Sequence, residues 1–223
     1  VLSLVGVLLL TGSLSLVNVV GAQTLPFIVV QPLGFLVFFI ASIAEINRAP
    51  FDVAEAESEL GAGYHSDYSG MKFGLFLNAE FMATILSAAV IVAVFLSGGR
   101  GWSFIPSQGW FIIKMIPVLF FIVWTRAAWP RMRIDQILTF AWKGLIILAF
   151  INVAVSAILS FVWPDPTMRE LWFMVAINFG VLIVSVMAVG AWFGPQGASA
   201  PNMSHGDALP RPRPAGQPSG GDS

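Results

Sequence analysis

The first 44 residues carry no charged side chain. A stretch of that length and character cannot be hydrated as a soluble surface, and a membrane helix needs about 20 predominantly apolar residues. Gly21-Ala22-Gln23-Thr24-Leu25-Pro26 breaks the stretch into two spans. Four more apolar runs follow at 73–97, 109–129, 137–162 and 170–193. In lipid only helices and closed barrels pair every backbone polar group, and runs this long are helical. The expected fold is therefore all-α, a polytopic bundle of about six membrane helices over residues 1–193 with a long polar loop at 46–72. From Gly194 onward Pro, Gly, Ser and Ala dominate, so 194–223 reads as a disordered tail that cannot offset its ordering entropy. The chain opens on Val1 straight into an apolar run, without the basic start and small-residue cleavage site of a signal peptide. It reads as an N-terminally truncated piece of a longer protein, with its first helix cut short.

Charged residues make up only 10% of the chain against 57% hydrophobic, where soluble domains carry about 25% charged. A net charge of −1 offers no electrostatic case for binding nucleic acid. With no cysteine, disulfides, thiolate zinc sites and cysteine-ligated iron–sulfur clusters within the chain are excluded. His65 and His205 are the only histidines, and neither lies in an apolar run, so there is no pair for a bis-histidine haem in the membrane. Electrons in any redox role must therefore reside on a partner or a diffusible carrier. Lys and Arg sort the connections: Arg48, Lys72, Arg126, Arg131, Arg133, Arg211 and Arg213 on one side, Arg100 and Arg169 on the other. This bias puts the 46–72 loop and the C-terminus on the cytoplasmic side, or the matrix side of a mitochondrion.

Five of the twelve acidic residues, Glu45, Asp52, Glu55, Glu57 and Glu59, lie between Ala44 and Leu60. If that segment is helical, Asp52, Glu55 and Glu59 share a face while Glu57 points elsewhere. Carboxylates so close repel, and shielded from water some retain protons near neutrality. Such a cluster stores and passes protons; the plain alternative is a solvated acidic loop. Three features weigh against the plain reading. Glu45 ends a charge-free span, where a carboxylate is costly unless paired or functional. Pro50 and Phe51 place a rigid apolar element inside the polar run, and Gly61, Gly63 and Gly70 allow a tight fold back towards the membrane.

Glu45-Ile46-Asn47-Arg48-Ala49-Pro50-Phe51-Asp52, Glu55-Ala56-Glu57-Ser58-Glu59-Leu60, Gly63-Tyr64 and Tyr68-Ser69-Gly70-Met71-Lys72-Phe73 closely resemble the subunit 1/H family of respiratory complex I. The likeness continues through Arg126, Trp129-Pro130-Arg131-Met132-Arg133-Ile134-Asp135-Gln136 and Trp142-Lys143, and covers about residues 1–162. Related subunits of membrane-bound hydrogenases generally lack the Glu-Ala-Glu-Ser-Glu-Leu run. The resemblance implies the membrane subunit of a proton-translocating NADH:quinone oxidoreductase, placed where the peripheral arm meets the quinone cavity in a bacterial plasma membrane (or a mitochondrial inner membrane). It implies a quinone substrate, ubiquinone or menaquinone, with iron–sulfur clusters and flavin confined to partner subunits. Those partners are a peripheral-arm iron–sulfur subunit and antiporter-like membrane subunits. Carried onto this chain, it makes Glu45, Asp52, Glu55, Glu57, Glu59 and the intramembrane Glu80 proton-coupling candidates, and Arg48, Phe51, Arg126 and Arg131 quinone-cavity candidates.

Other charged residues have plainer readings. Lys72 lies eight residues before Glu80, about 12 Å along a helix axis, too far for a direct ion pair. Arg126, Arg131, Arg133 and Asp135 also serve as topology anchors, and Lys143 is placed to pair with a loop acid. Lys114 is expected to snorkel, His65 to be a surface residue, and Trp102, Trp110, Trp129 and Trp163 to sit at the membrane interfaces. The helix at 170–193 and the tail lie beyond the family's usual end. One rival reading is an ion-coupled secondary transporter, which calls for unwound helices and repeat symmetry, and the apolar runs display neither. A second is the same fold in a membrane-bound hydrogenase or other ferredoxin-linked complex, which the acidic loop motif argues against, and a third is a purely structural membrane scaffold.

Overall fold

A computed structural model of the chain describes residues 1–46, 51, 70–101, 104–129, 134–163 and 167–193. Among these residues all regular structure is helical, as the apolar runs require. The helices are α1 (Leu2–Thr11), α2 (Leu16–Ala22), α3 (Phe27–Val30), α4 (Pro32–Glu45), α5 (Met71–Phe95), α6 (Ser107–Ala128), α7 (Ile134–Phe140), α8 (Ile146–Val162) and α9 (Met168–Phe193). Four helical stretches are long and apolar enough to cross a membrane, or five if the bent α1–α2 pair is one span. The expected spans after residue 70 thus each appear. The two before it are interrupted, which the apolar runs did not show.

The first interruption is at Gly12, which takes φ 62° and donates its N–H to Leu8 O at 2.9 Å. This closes α1 in a left-handed cap, and α2 leaves at 62° to it. The second is at Gln31, whose φ of −130° and ψ of 67° break the chain between α3 and α4. Pro32 begins α4 and has no N–H, so the carbonyl of Ile28 loses its helical donor. An unwound turn at this depth is tolerated where it is buried in protein or lines a wet cavity. A third irregularity, a five-residue π turn at Ala141–Leu145, joins α7 to α8 and carries Lys143.

The main core forms where α1, α2, α3, the end of α5, α8 and the start of α9 meet, around Val7, Val30, Phe95, Leu159 and Met174. A second cluster, Leu33, Val37, Leu148 and Ala149, binds α4 to α8. Phe95 is wholly buried and meets Phe35 edge-on, with ring centroids 5.5 Å apart. Large apolar side chains along α5, α6 and α9 point outward, among them Leu86, Phe120 and Val184. That inversion suits a lipid solvent, which gives apolar surface no reason to turn inward.

Polar groups clamp the end of α5. Gln23 Nε2 donates to Val94 O at 2.7 Å and Ala93 O at 3.3 Å, and Arg100 donates to the Gln23 carbonyl. Lys114 Nζ, from α6, donates to Leu96 O at 2.7 Å, Gly98 O at 3.1 Å and Arg100 O at 2.6 Å. A cation therefore stands at the negative end of the α5 dipole and pairs carbonyls the helix has left over. Lys114 does reach toward the end of its span, as a snorkelling side chain would, but its ammonium docks on backbone. Ser97 and Gly98 turn the chain here with φ of 58° and 51°.

Candidate functional site

The candidate site grows from the loop end of α4. Glu45 is the last residue of α4 and is exposed. Its carboxylate stands at the helix C-terminus, where the dipole favours cations, so α4 itself does nothing to stabilise the anion. Ile46 follows, buried, with its N–H donating to Ser42 O at 3.2 Å. This bond continues the helical pattern of α4 by one residue past the carboxylate.

Phe51 is buried, with 8% of its surface exposed. It helps line a cavity of about 540 Å³ bounded by α4, α6, α7 and α9. Phe35, Phe39 and Ile43 from α4 form one wall; Phe121 and Thr125 from the C-terminal part of α6, with Trp129 just past its end, form another. The periodicity of α4 puts Phe35, Phe39 and Ile43 at successive four-residue steps on one stripe. Phe39 and Phe121 meet across the cavity with ring centroids 5.2 Å apart, and Phe121 lies edge-on to Trp124 at 6.0 Å. Thr125 brings a hydroxyl to this wall, but its Oγ1 is committed to Ile122 O at 2.7 Å. The space suits a flat apolar ring or a prenyl chain, held by dispersion and ring–ring contact.

Glu80 is half-buried in α5, and its backbone carbonyl accepts from Thr84 Oγ1 at 2.9 Å. Lys72 is exposed in the first turn of α5, and Lys143 is exposed in the π turn. Arg126 takes its place near the end of α6, directly after the cavity-lining Thr125. Arg48, Asp52, Glu55, Glu57, Glu59 and Arg131 lie outside the described residues, as do His65 and Trp102. Trp110 and Trp163 are half-buried while Trp129 is exposed at the cavity rim. Among the described residues no group of three or more His, Asp or Glu side chains is placed to hold a metal ion.

Sequence reasoning overlooked the neutral polar residues inside the apolar runs. Gln23, Gln31, Asn152, Ser156, Asn178 and Ser185 are all buried. Their signal was available, since an amide in the middle of a membrane span is as anomalous as a charge, though less costly.

The family model described as NADH dehydrogenase matches residues 1–157. The chain is 45% identical over 185 residues to the H-type subunit of NADH-quinone oxidoreductase from Dehalococcoides mccartyi strain CBDB1, covering 82% of this chain and 52% of that relative. It is 46% identical over 166 residues to the corresponding protein of Geobacillus kaustophilus, covering 72% of this chain and 49% of that one. Against its counterpart in Bacillus thuringiensis strain Al Hakam the identity is 43% over 167 residues, with the same coverage of 72% and 49%. The chain thus spans about half the length of the curated relatives it matches. The match runs from the charge-free start through the acidic loop and well into α8, and on that extent the chain belongs to the NADH dehydrogenase family.

Proposed function

We propose that this chain is part of the membrane subunit of a proton-translocating NADH:quinone oxidoreductase, where it frames the quinone cavity and couples quinone reduction to proton movement. The observation that carries this reading is the aromatic-walled cavity with Phe51 in its lining, which runs along α4, the helix that ends in Glu45. A quinone headgroup or its prenyl tail fits such a wall. Arg48, Arg126 and Arg131 are the donors proposed to meet the reduced quinone oxygens. Electrons arrive from an iron–sulfur cluster of a neighbouring peripheral-arm subunit, and this chain contributes no redox ligand of its own.

Charge appearing on a reduced quinone shifts the proton affinity of carboxylates nearby. Glu45, Asp52, Glu55, Glu57 and Glu59 are proposed to respond first, and Glu80, within the α5 span, to hand the change on towards antiporter-like partner subunits. The broken helix at Gln31 also suits an ion-coupled transporter, but neither described membrane carboxylate, Glu45 or Glu80, lies at that break.

The test is to tag the full-length protein at its C-terminus in its source organism and run gently solubilised membranes on a native gel. Tag and inhibitor-sensitive NADH:quinone reductase activity should migrate together in one large complex. In that complex, Glu45→Gln and Glu80→Gln should lower protons moved per NADH oxidised. A tag that runs as a small species away from all such activity overturns the reading in favour of the transporter.

A further inference from the structure

α4 lines the aromatic cavity along most of its length, from Pro32 to Ile43. Its backbone ladder starts at the break, where the Gln31 carbonyl accepts from Phe35 N at 3.1 Å. The φ of −130° and ψ of 67° at Gln31 separate α3 from α4, so α3 does not fix the direction of α4. Apolar surface gives a helix in lipid little direction either, because lipid tails solvate it as well as protein does. The angle of the α4 wall is therefore set by specific contacts near its root.

Gln31 makes such a contact. Its Nε2 donates to Ser156 Oγ of α8 at 2.7 Å, and both residues are 0% exposed. Asn152, one turn earlier on α8, is buried beside them. The helices close on these side chains with bare backbone. A Cβ on Gly6 of α1 would lie 2.7 Å from Asn152 Nδ2, 2.9 Å from Ser156 Oγ and 3.1 Å from Gln31 Oε1. One on Gly34 of α4 would lie 3.1 Å from Asn152 Nδ2 and 3.4 Å from Gln31 Oε1. The three side chains thus fill the space between α1, α4 and α8, and the two glycines let the backbones approach that closely. No bulk water reaches this depth to compete for the bond.

We propose that Gln31 is a positioning residue for the quinone cavity: bonded to Ser156 and held against Gly6 and Gly34, it pins the root of α4 to α8 and sets the angle of the α4 wall. The pin itself rests on packing, and its bearing on quinone rests on the proposed function. α4 is about 20 Å long, so a tilt of about 5° at its root carries its far end, with Glu45, by roughly 2 Å. Gln31 does not line the cavity, and among the described residues α1 and α8 contribute none of its lining. An effect of Gln31, Ser156 or Gly6 on quinone binding therefore passes through α4.

The experiment places Gln31→Leu, Ser156→Ala and Gly6→Ala in the full-length protein in its native membrane assembly. Gln31→Leu and Ser156→Ala should each raise the KM for quinone about three- to ten-fold, the range open to an interhelical hydrogen bond inside a membrane. NADH oxidation by ferricyanide per assembled complex should stay unchanged. Combined in one protein, the two should raise KM no further, because both delete the same bond. Gly6→Ala should raise it from a helix that does not touch the cavity. A merely structural role would lower the amount of complex and leave KM as it is. A cryo-EM map of the Ser156→Ala complex should show α4 tilted against α8 and the Phe39–Phe121 ring contact of 5.2 Å opened. Should the other two variants fail to assemble, Ser156→Ala, which deletes a single oxygen, decides. An unmoved α4 with an unchanged KM overturns the pin. A tilted α4 with an unchanged KM leaves the pin standing and counts instead against the cavity as the quinone site.

Discussion

Replacing Lys114 by Met removes the cation at the end of α5 while keeping an unbranched apolar stem of similar volume. Three carbonyls lose their donor: Leu96 O, Gly98 O and Arg100 O, now met at 2.7, 3.1 and 2.6 Å. A hydrogen bond from a charged donor contributes about 1.5–3 kcal/mol when enclosed. The bond to Arg100 O is exposed, so it is discounted to nearly nothing. The other two are part-buried, and halving their enclosed worth leaves a loss of about 2 kcal/mol. That corresponds to roughly a 30-fold change in the unfolding equilibrium. The assay is unfolding of the full-length protein in bicelles by increasing SDS mole fraction, following tryptophan fluorescence. Lys114→Arg, which keeps a charge and its donors at the helix end, should retain more than half of the stability. A Lys114→Met protein within about 0.5 kcal/mol of wild type would show that these contacts contribute no stability and would refute the clamp.

Three further outcomes follow from the same packing. Gly98→Ala should destabilise by about 1–2 kcal/mol in the same assay, because a left-handed backbone penalises any Cβ and this one would lie 3.1 Å from Val20 Cγ1. Gln23→Leu should cost about 1–3 kcal/mol, since it deletes a buried donor to Val94 O and Ala93 O while the Arg100 contact to its backbone survives. Phe51→Ala enlarges an apolar cavity and, on the proposed function, should raise the KM for quinone in the assembled complex several-fold, leaving its NADH oxidation by ferricyanide unchanged. An unaltered KM would remove Phe51 from the cavity wall as a contact.

Much of the architecture was legible because lipid imposes a simple rule. Each run of apolar residues after Gly70 became a membrane helix, and Phe51 was singled out as an apolar insertion in a polar loop and is buried. The breaks in the first two spans were not legible, because hydropathy registers composition and is blind to backbone geometry. Pro32 was visible in the sequence, but prolines also sit inside intact helices, as Pro117 does in α6. Lys114 illustrates a different blindness. Its position within a span suggested reach toward water, whereas its partners are carbonyls 14 to 18 residues earlier in the chain, a proximity that only the α5–α6 packing creates. The cavity was illegible for the same reason, being assembled from residues as far apart as Pro32 and Leu182.

The π turn at Ala141–Leu145 acts as a phase shifter between two halves of one rod. Every residue of an ideal helix turns the next side chain by about 100°, and a π turn accommodates one residue more than that winding allows. The face that Phe140 presents to the aromatic cavity and the face that Asn152 and Ser156 present to the bundle interior are thereby set independently. Winding 141–145 as ordinary α-helix with every residue kept would swing one half of the rod relative to the other by up to about a quarter turn. Either Phe140 or the Asn152–Ser156 pair would then lose its address, although every hydropathy profile of the chain would look the same.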